Sequence, residues 1–250
     1  METLDLGRVG HLIKRFMLVH GRGALILFGP ALLIFLFAII TSLGDEALGG
    51  ADDASFFEIW YGIFLLAMGY LATSASLPDL KTAEGRQGFL TLPASNTEKW
   101  FAKWLITGPV YALVMTAGYA LLTLLANAII GLFELGGFVP FQPFTDTVGD
   151  LLLVYLLVVH PIALLGAITF NRWAFAKTAG VALALAFGFG MLALLVFRIV
   201  FYDHITGFFN VGNININSEI GAGFDSVWTT AAFALTLLAA SYFKFREKQV

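Results

Sequence analysis

Hydrophobic residues in this chain are gathered into long blocks separated by polar connections. A stretch of about 18 to 25 residues with almost no charge can cross about 30 Å of hydrocarbon as a helix. The pattern predicts six such transmembrane helices: Ala24–Leu43, Phe56–Leu77, Trp104–Phe133, Leu151–Phe170, Thr178–Phe201 and Ser226–Phe243. The third is too long for one straight crossing, so we expect it to tilt or to extend beyond the bilayer.

The composition supports this interpretation. Hydrophobic residues make up 59% of the chain and the mean hydropathy is +0.85. Charged residues make up 12%, about half of the roughly 25% found in soluble domains. We therefore expect an all-α polytopic membrane protein in which residues 1–250 form a single transmembrane domain.

Charges in the connections separate by sign. If the spans alternate in direction, thirteen of the 14 lysines and arginines fall on one side of the membrane and eleven of the 17 acidic residues on the other. The positive-inside rule makes the basic side cytoplasmic. The sequence therefore predicts a protein of the inner (cytoplasmic) membrane with both termini in the cytoplasm.

Residues 1–23 precede the first block, and the part from Leu4 to His20 has amphipathic spacing. Its apolar residues lie near one side of a helical wheel and its basic residues on or near the rest, as in a helix at the inner interface. The apolar set is Leu6, Val9, Ile13, Phe16 and Met17. The alternative is an ordinary charged lead-in to the first span.

The connection 78–103 is the only substantial one on the basic side. Ser95 is followed three residues later by Glu98, which is the spacing of a capping box. This predicts a helix that begins at Asn96 and continues into the third span. Upstream, Arg86 and Gln87 are followed by the apolar run 89–92, which is too short to span a membrane and is expected to pack against protein.

Two outer connections have distinctive compositions. Residues 134–150 combine glycine, proline and phenylalanine, which predicts a compact loop. In residues 202–225, four asparagines alternate with apolar residues, a period-2 pattern that predicts an external hairpin or loop.

Polar residues inside the spans are the default functional candidates because they are costly there. His160, next to Pro161, lies at the middle of the fourth span. It either makes a structural hydrogen bond to another helix or belongs to a proton relay. Arg198 either pairs with Asp203 or attracts an anionic substrate. Asn127 is expected to bond to a neighbouring helix.

Small residues recur at every fourth position of the fifth span, which allows close approach of another helix, inside the chain or in a second subunit. The two stripes are Gly180, Ala184 and Gly188, and Ala182, Ala186 and Gly190.

Several kinds of chemistry are missing from the sequence. It contains no cysteine, so thiolate metal sites and thiol nucleophiles are excluded. No lysine follows a glycine, so the GxxxxGK[ST] phosphate cradle is absent, as are HExxH and GxSxG. We expect no catalytic, cofactor-binding or metal-binding residues in this chain and no binding of nucleic acid.

The run GFLTLPASNTEKWFAK, residues 88–103, resembles the segment after the second span in permease subunits of ABC type-2 transporters. It is most similar to a divergent branch of that family with a Leu-Pro-Ala-Ser sequence. The stretch before Pro93 is about one turn shorter than usual and lacks the Glu-x-Gly-Thr opening.

The resemblance implies an exporter subunit with an amphipathic N-terminal helix, six spans and a cytoplasmic coupling helix between the second and third spans. A separate ATPase subunit, which binds ATP and Mg, would drive it, and a second permease copy or a related permease would complete it. The residues implied to couple to the ATPase are Arg86, Gln87, Gly88, Phe89, Leu90, Leu92, Pro93, Ser95, Glu98 and Lys99.

Two other classes of protein fit the same pattern of spans. An ion-coupled secondary transporter would prefer ionisable groups near the midplane and broken helices, for which His160 and Pro161 are the only hint. A membrane scaffold or assembly factor would have the spans without a transport path.

Overall fold

A computed structural model describes residues 5–19, 29, 54–132, 141–200 and 227–248. All regular secondary structure within these ranges is helical. Four of the helices are long and apolar enough to cross a membrane: Phe56–Ala75, Asn96–Ala128, Asp146–Thr169 and Ala174–Val196. They match the second to fifth predicted spans and indicate a membrane-embedded protein.

The other two predicted spans are not confirmed as membrane-crossing helices. The first, 24–43, lies outside the described residues except for Gly29, which is helical. The sixth falls on a helix, Val227–Glu247, that is not among the four membrane-crossing candidates. This helix is less apolar because it contains threonines, Ser241, Tyr242 and Lys244. The predicted external hairpin, 202–225, also lies outside the described residues.

The helices are numbered in chain order. Helix α1 covers 6–19, and α2 consists of Ala54–Ile63, the π-helical turn Phe64–Met68, and Gly69–Ala75. A 3₁₀ turn, Pro78–Lys81, leads to α3, Ala83–Leu90. Helix α4 consists of Asn96–Leu105, the π-helical turn Ile106–Val110, and Tyr111–Leu132.

The remaining three helices follow the outer loop. Helix α5 consists of Asp146–Val154, the π-helical turn Tyr155–Val159, and His160–Thr169. Helices α6 and α7 cover Ala174–Val200 and Val227–Glu247. The described end of the predicted outer loop forms a turn in which Phe141 is buried and Phe144 is exposed, and it gives way to α5 at Asp146.

The amphipathic segment forms α1 as predicted, but its buried face differs from the predicted one. Val9, Leu12 and Phe16 are buried, whereas Leu6 and Met17 are exposed. The spacing of three and four residues places the buried set on one stripe, and Leu12 rather than Ile13 lies at its centre. Exposed apolar residues on the remaining surface suit a helix at a membrane interface.

Two hydrophobic clusters hold the helices together at opposite ends, which are called outer and inner after the orientation predicted from the sequence. The outer cluster joins α2, α4 and α5 around Phe57, Tyr61, Tyr119 and Tyr155. The inner cluster joins α1, α3, α4, α5 and α7 around Phe16, Phe89, Leu164 and Phe245. The inner ends of most described helices therefore share one core, and this core surrounds the predicted coupling segment.

Helix α6 is bound to this assembly mainly through its first turns. Ala174 and Thr178 are buried, but none of the membrane-crossing window of the helix is. A methyl group added at Gly180, Gly188 or Gly190 would meet nothing within 4 Å among the described residues. The three glycines of the small-residue stripes thus make no close helix contact in the described part of the chain.

Candidate functional site

The first turn of α4 confirms the capping box read from the sequence. The Ser95 Oγ accepts a hydrogen bond from the Glu98 N–H at 3.2 Å, and the Glu98 carboxylate accepts one from the Ser95 N–H at 2.8 Å. The helix continues from Asn96 through the membrane-crossing region, as predicted. The end of the connection 78–103 therefore belongs to the same helix as the membrane-crossing segment.

The Glu98 carboxylate also holds the start of α1. Its other oxygen accepts a hydrogen bond from the Asp5 N–H at 2.9 Å, and the Glu98 side chain is fully buried. A helix has unpaired N–H groups in its first turn, and a carboxylate near that end is favoured by the helix dipole. One buried acidic group thus stabilises the beginnings of two helices.

Two buried lysines on the next turns fix other elements. The Lys103 Nζ donates to the Ser76 carbonyl at 2.7 Å and lies 3.7 Å from the centre of the Phe16 ring. The Lys99 Nζ lies 5.4 Å from the centre of the Phe89 ring. Such cation–π contacts gain strength when water is excluded. Lys103 therefore joins α4 to the end of α2 and to α1, and Lys99 joins it to α3.

Helix α3 is a short helix in the connection between α2 and α4. The Thr82 hydroxyl caps it by accepting from the Gly85 N–H at 3.1 Å, and a Cβ at Gly85 would lie 2.5 Å from the Asp79 carbonyl oxygen, so a glycine is needed there. Phe89 is buried, with its ring 6.3 Å from Phe16 and 5.9 Å from Phe245. Of the apolar run, Phe89 and, in part, Leu92 pack against protein, as predicted, whereas Thr91 is exposed.

The ten residues implied to couple to the ATPase do not share one surface. Arg86, Gln87, Gly88 and Pro93 are exposed, Leu92 and Ser95 are partly buried, and Phe89, Glu98 and Lys99 are buried. Leu90 is the last residue of α3. Only the exposed group presents side chains outward, while the buried group holds α3, α1 and α4 together.

A second polar site lies within the membrane-crossing helices. His160 is fully buried where the π-helical turn of α5 ends, and its Nε2 is 2.9 Å from the Thr107 hydroxyl in the π-helical turn of α4. The π-helical turn of α2 packs against that of α5. Such turns are rare and are frequent at functional sites. Each of the adjoining helices α2, α4 and α5 thus contains a π-helical turn close to His160.

The hydrogen bonds of Thr107 assign the tautomer of His160. The Thr107 hydroxyl gives its single proton to the Lys103 carbonyl at 2.8 Å, so the His160 Nε2 must be the donor to the hydroxyl oxygen. The Nδ1 is then an acceptor, and it has no hydrogen-bond partner among the described residues. His160 therefore makes an interhelical hydrogen bond through Nε2, and its Nδ1 is an acceptor without a partner among the described residues.

Close packing surrounds this histidine. A Cβ at Gly108 would lie 3.0 Å from its Cε1, so glycine makes room for the imidazole. The Tyr155 hydroxyl donates to the Thr107 carbonyl, and the Tyr111 hydroxyl donates to the Phe64 carbonyl at 2.8 Å. These tyrosines use carbonyl groups at the edges of the π-helical turns.

The other two intramembrane candidates lie apart from His160. Asn127 is partly buried in the second half of α4. Arg198 is exposed near the end of α6, and its proposed partner Asp203 lies outside the described residues. In the described ranges, no group of three or more histidine, aspartate or glutamate residues is arranged to hold a metal ion.

Sequence reasoning missed the polar stripe that connects the two sites. Lys99, Lys103, Thr107 and Tyr111 follow one another at intervals of four, so they share a face of α4. A polar residue repeated at helical spacing from the basic end into an apolar span is a readable signal. It identifies the face that packs inward.

Comparisons with protein-family models, with curated proteins and with solved structures found no match for this chain.

Replacing Glu98 with alanine is expected to lower the free energy of unfolding by about 2 to 3 kcal/mol, because two backbone N–H groups lose their acceptor. Thermal unfolding of the purified protein in detergent measures this. Glu84→Ala, an exposed acidic residue in the first turn of α3, is the matched control and should change it by less than about 0.5 kcal/mol. Equal effects of the two substitutions would contradict the bridging role.

The near-isosteric change Thr107→Val is expected to cost about 1 to 3 kcal/mol, since it leaves the His160 Nε2–H buried without an acceptor. Thr236→Val removes the same kind of bond, from a threonine hydroxyl to the carbonyl four residues earlier, at an exposed site on α7. It should be nearly neutral in the same unfolding measurement. A neutral Thr107→Val would show that the histidine does not depend on this hydroxyl.

Proposed function

We propose that this chain is the permease subunit of an ABC exporter, moved by a separate ATP-hydrolysing subunit. The proposal includes six spans, cytoplasmic termini and a place in the inner membrane. The resemblance of residues 88–103 suggests it, and the four membrane-crossing helices and the helix that begins at Asn96 support it.

One observation carries the proposal: α3 is buried on one face and exposed on the other. Phe89 anchors the inner face among Phe16 and Phe245, and Arg86 and Gln87 are exposed. A short helix that is fixed to the rest of the protein and presents polar side chains outward could bind the ATPase subunit and be displaced by it. Coupling in this proposal uses the exposed group, and Phe89, Glu98 and Lys99 transmit it.

The path of transmission follows the buried contacts. A displacement of α3 reaches α4 through the Phe89 ring and the Lys99 ammonium, and reaches α1 through the stacked Phe16 ring. Helix α4 then carries it into the membrane. The π-helical turn Ile106–Val110, which contains Pro109, is the point at which this helix is expected to bend.

The proposal assigns ATP and Mg to the partner and no catalysis to this chain. Six spans are half the usual set for such a transporter, so a second copy or a related permease is required. The exposed small-residue stripes of α6 are a suitable surface for that contact. The substrate path then lies between the two permease halves.

His160 supports a second candidate, an ion-coupled secondary transporter. A buried imidazole with a spare acceptor, beside three π-helical turns, has the broken-helix character of ion sites near the bilayer midplane. Reconstitution into liposomes separates the two candidates. Flux driven by a pH gradient without an ATPase favours the second, and flux that needs both the ATPase and ATP favours the first.

The double substitution Arg86→Ala and Gln87→Ala is expected to weaken association with the ATPase subunit at least tenfold, about 1.4 kcal/mol. Both side chains are exposed, so the fold should be kept. The measurement is co-purification with the proposed ATPase subunit, followed by titration of the purified subunits.

Lys14→Ala with Arg15→Ala is the control for that experiment, because it removes exposed basic residues from α1, away from α3. It should leave association unchanged. If the ATPase binds the Arg86→Ala and Gln87→Ala variant as tightly as the unchanged chain, the proposed contact is contradicted.

A further inference from the structure

Basic residues from separate elements converge beside the C-terminal end of α7. Phe89 of α3 packs against Phe245 of α7 with ring centres 5.9 Å apart. Arg86 lies one helical turn before Phe89, and Lys248 lies one turn after Phe245. The aromatic contact therefore brings these two basic residues together, although they are far apart in the sequence.

Lys81 ends the 3₁₀ turn that packs against α3, and the Lys244 carbonyl accepts a hydrogen bond from the Lys248 backbone N–H at 3.3 Å. Partial burial lowers the pKa of Lys248 below its ordinary value, and repulsion from Arg86, Lys244 and Lys81 lowers it further. Lys244 is paired with Glu247 at 2.7 Å. In the part of the chain that the structure describes, Lys81, Arg86 and Lys248 form no ion pair, so three positive charges lie near one another without a directly bonded carboxylate.

A neutral acceptor positions one member of the group. The Lys248 Nζ donates to the Asn171 Oδ1 at 2.8 Å, in the turn between α5 and α6. Two residues further on, Trp173 is 70% exposed. An exposed tryptophan at the end of a membrane-crossing helix is typical of the headgroup region. The basic group is therefore at the level of lipid phosphates.

We propose that Lys81, Arg86 and Lys248 bind the phosphate of an anionic phospholipid in the leaflet at this end of the helices. Three unpaired cations that must stay close together are stabilised by a shared anion, and basic pockets between helix ends bind such headgroups. The level of Trp173 and Asn171 favours a lipid over an acidic protein surface. Because Arg86 also belongs to the proposed ATPase contact, the test below leaves Arg86 unchanged and substitutes only Lys81 and Lys248.

Thermal unfolding of the full chain in neutral detergent tests the proposal, with short-chain phosphatidylglycerol, phosphatidylcholine or inorganic phosphate added. Because a ligand that binds the folded state raises its stability, phosphatidylglycerol should raise the unfolding temperature and phosphatidylcholine should not. Lys81→Gln with Lys248→Gln should lose at least half of that rise. Folding should survive, since the change relieves repulsion.

Lys14→Gln with Arg15→Gln removes two exposed basic residues from α1 and controls for general attraction of anionic lipid, so it should keep most of the rise. An equal loss in both variants, or no rise with phosphatidylglycerol, would overturn the site. An equal rise with inorganic phosphate would support a phosphate site but overturn its assignment to a lipid. Loss of ATPase binding in the Lys81 and Lys248 variant, with no effect of lipid, would assign the cluster to a protein contact instead.

Discussion

The burial of charged groups on the first two turns of α4 is the constraint on which the inner half of the structure depends. Glu98 and Lys103 are both removed from water, and a buried charge without partners is costly. Each is satisfied by a backbone group of another element, Glu98 by the Asp5 N–H and Lys103 by the Ser76 carbonyl, and Glu98 also accepts from the Ser95 N–H of its own helix cap. These elements must therefore meet at the start of α4.

The aromatic residues around this point extend the same constraint to α3 and α7. Phe16 and Phe89 each lie beneath a lysine of α4, and Phe89 also contacts Phe245. On another side of α4, the Trp100 indole N–H donates to the Ser241 hydroxyl of α7 at 3.1 Å. The helix that continues into the membrane is thus attached to four others at its inner end. This arrangement makes a lever, driven from α3, a physically reasonable mechanism.

The sequence predicted local features well and the direction of side chains less well. The capping box of Ser95 and Glu98 depends on residues three apart, so it could be read directly. Burial of Phe89, Glu98 and Lys99 could not, because it depends on Asp5, Phe16 and Phe245, which the fold brings in from distant positions. The π-helical turns have no simple sequence signature, although Pro109 and Pro161 lie in or beside two of them.

The central claim is that α1 and α3 are held on the start of α4 as one body. Because the chain has no cysteine, spin labels can be attached at Gly10→Cys and Gln87→Cys, both at exposed positions on these helices. Pulsed electron paramagnetic resonance then gives the distribution of distances between them. We expect a single narrow distribution that broadens when Glu98 is replaced by alanine. The account would be contradicted by a broad distance distribution in the chain with Glu98 intact, or by a distribution that does not change when Glu98 is replaced by alanine.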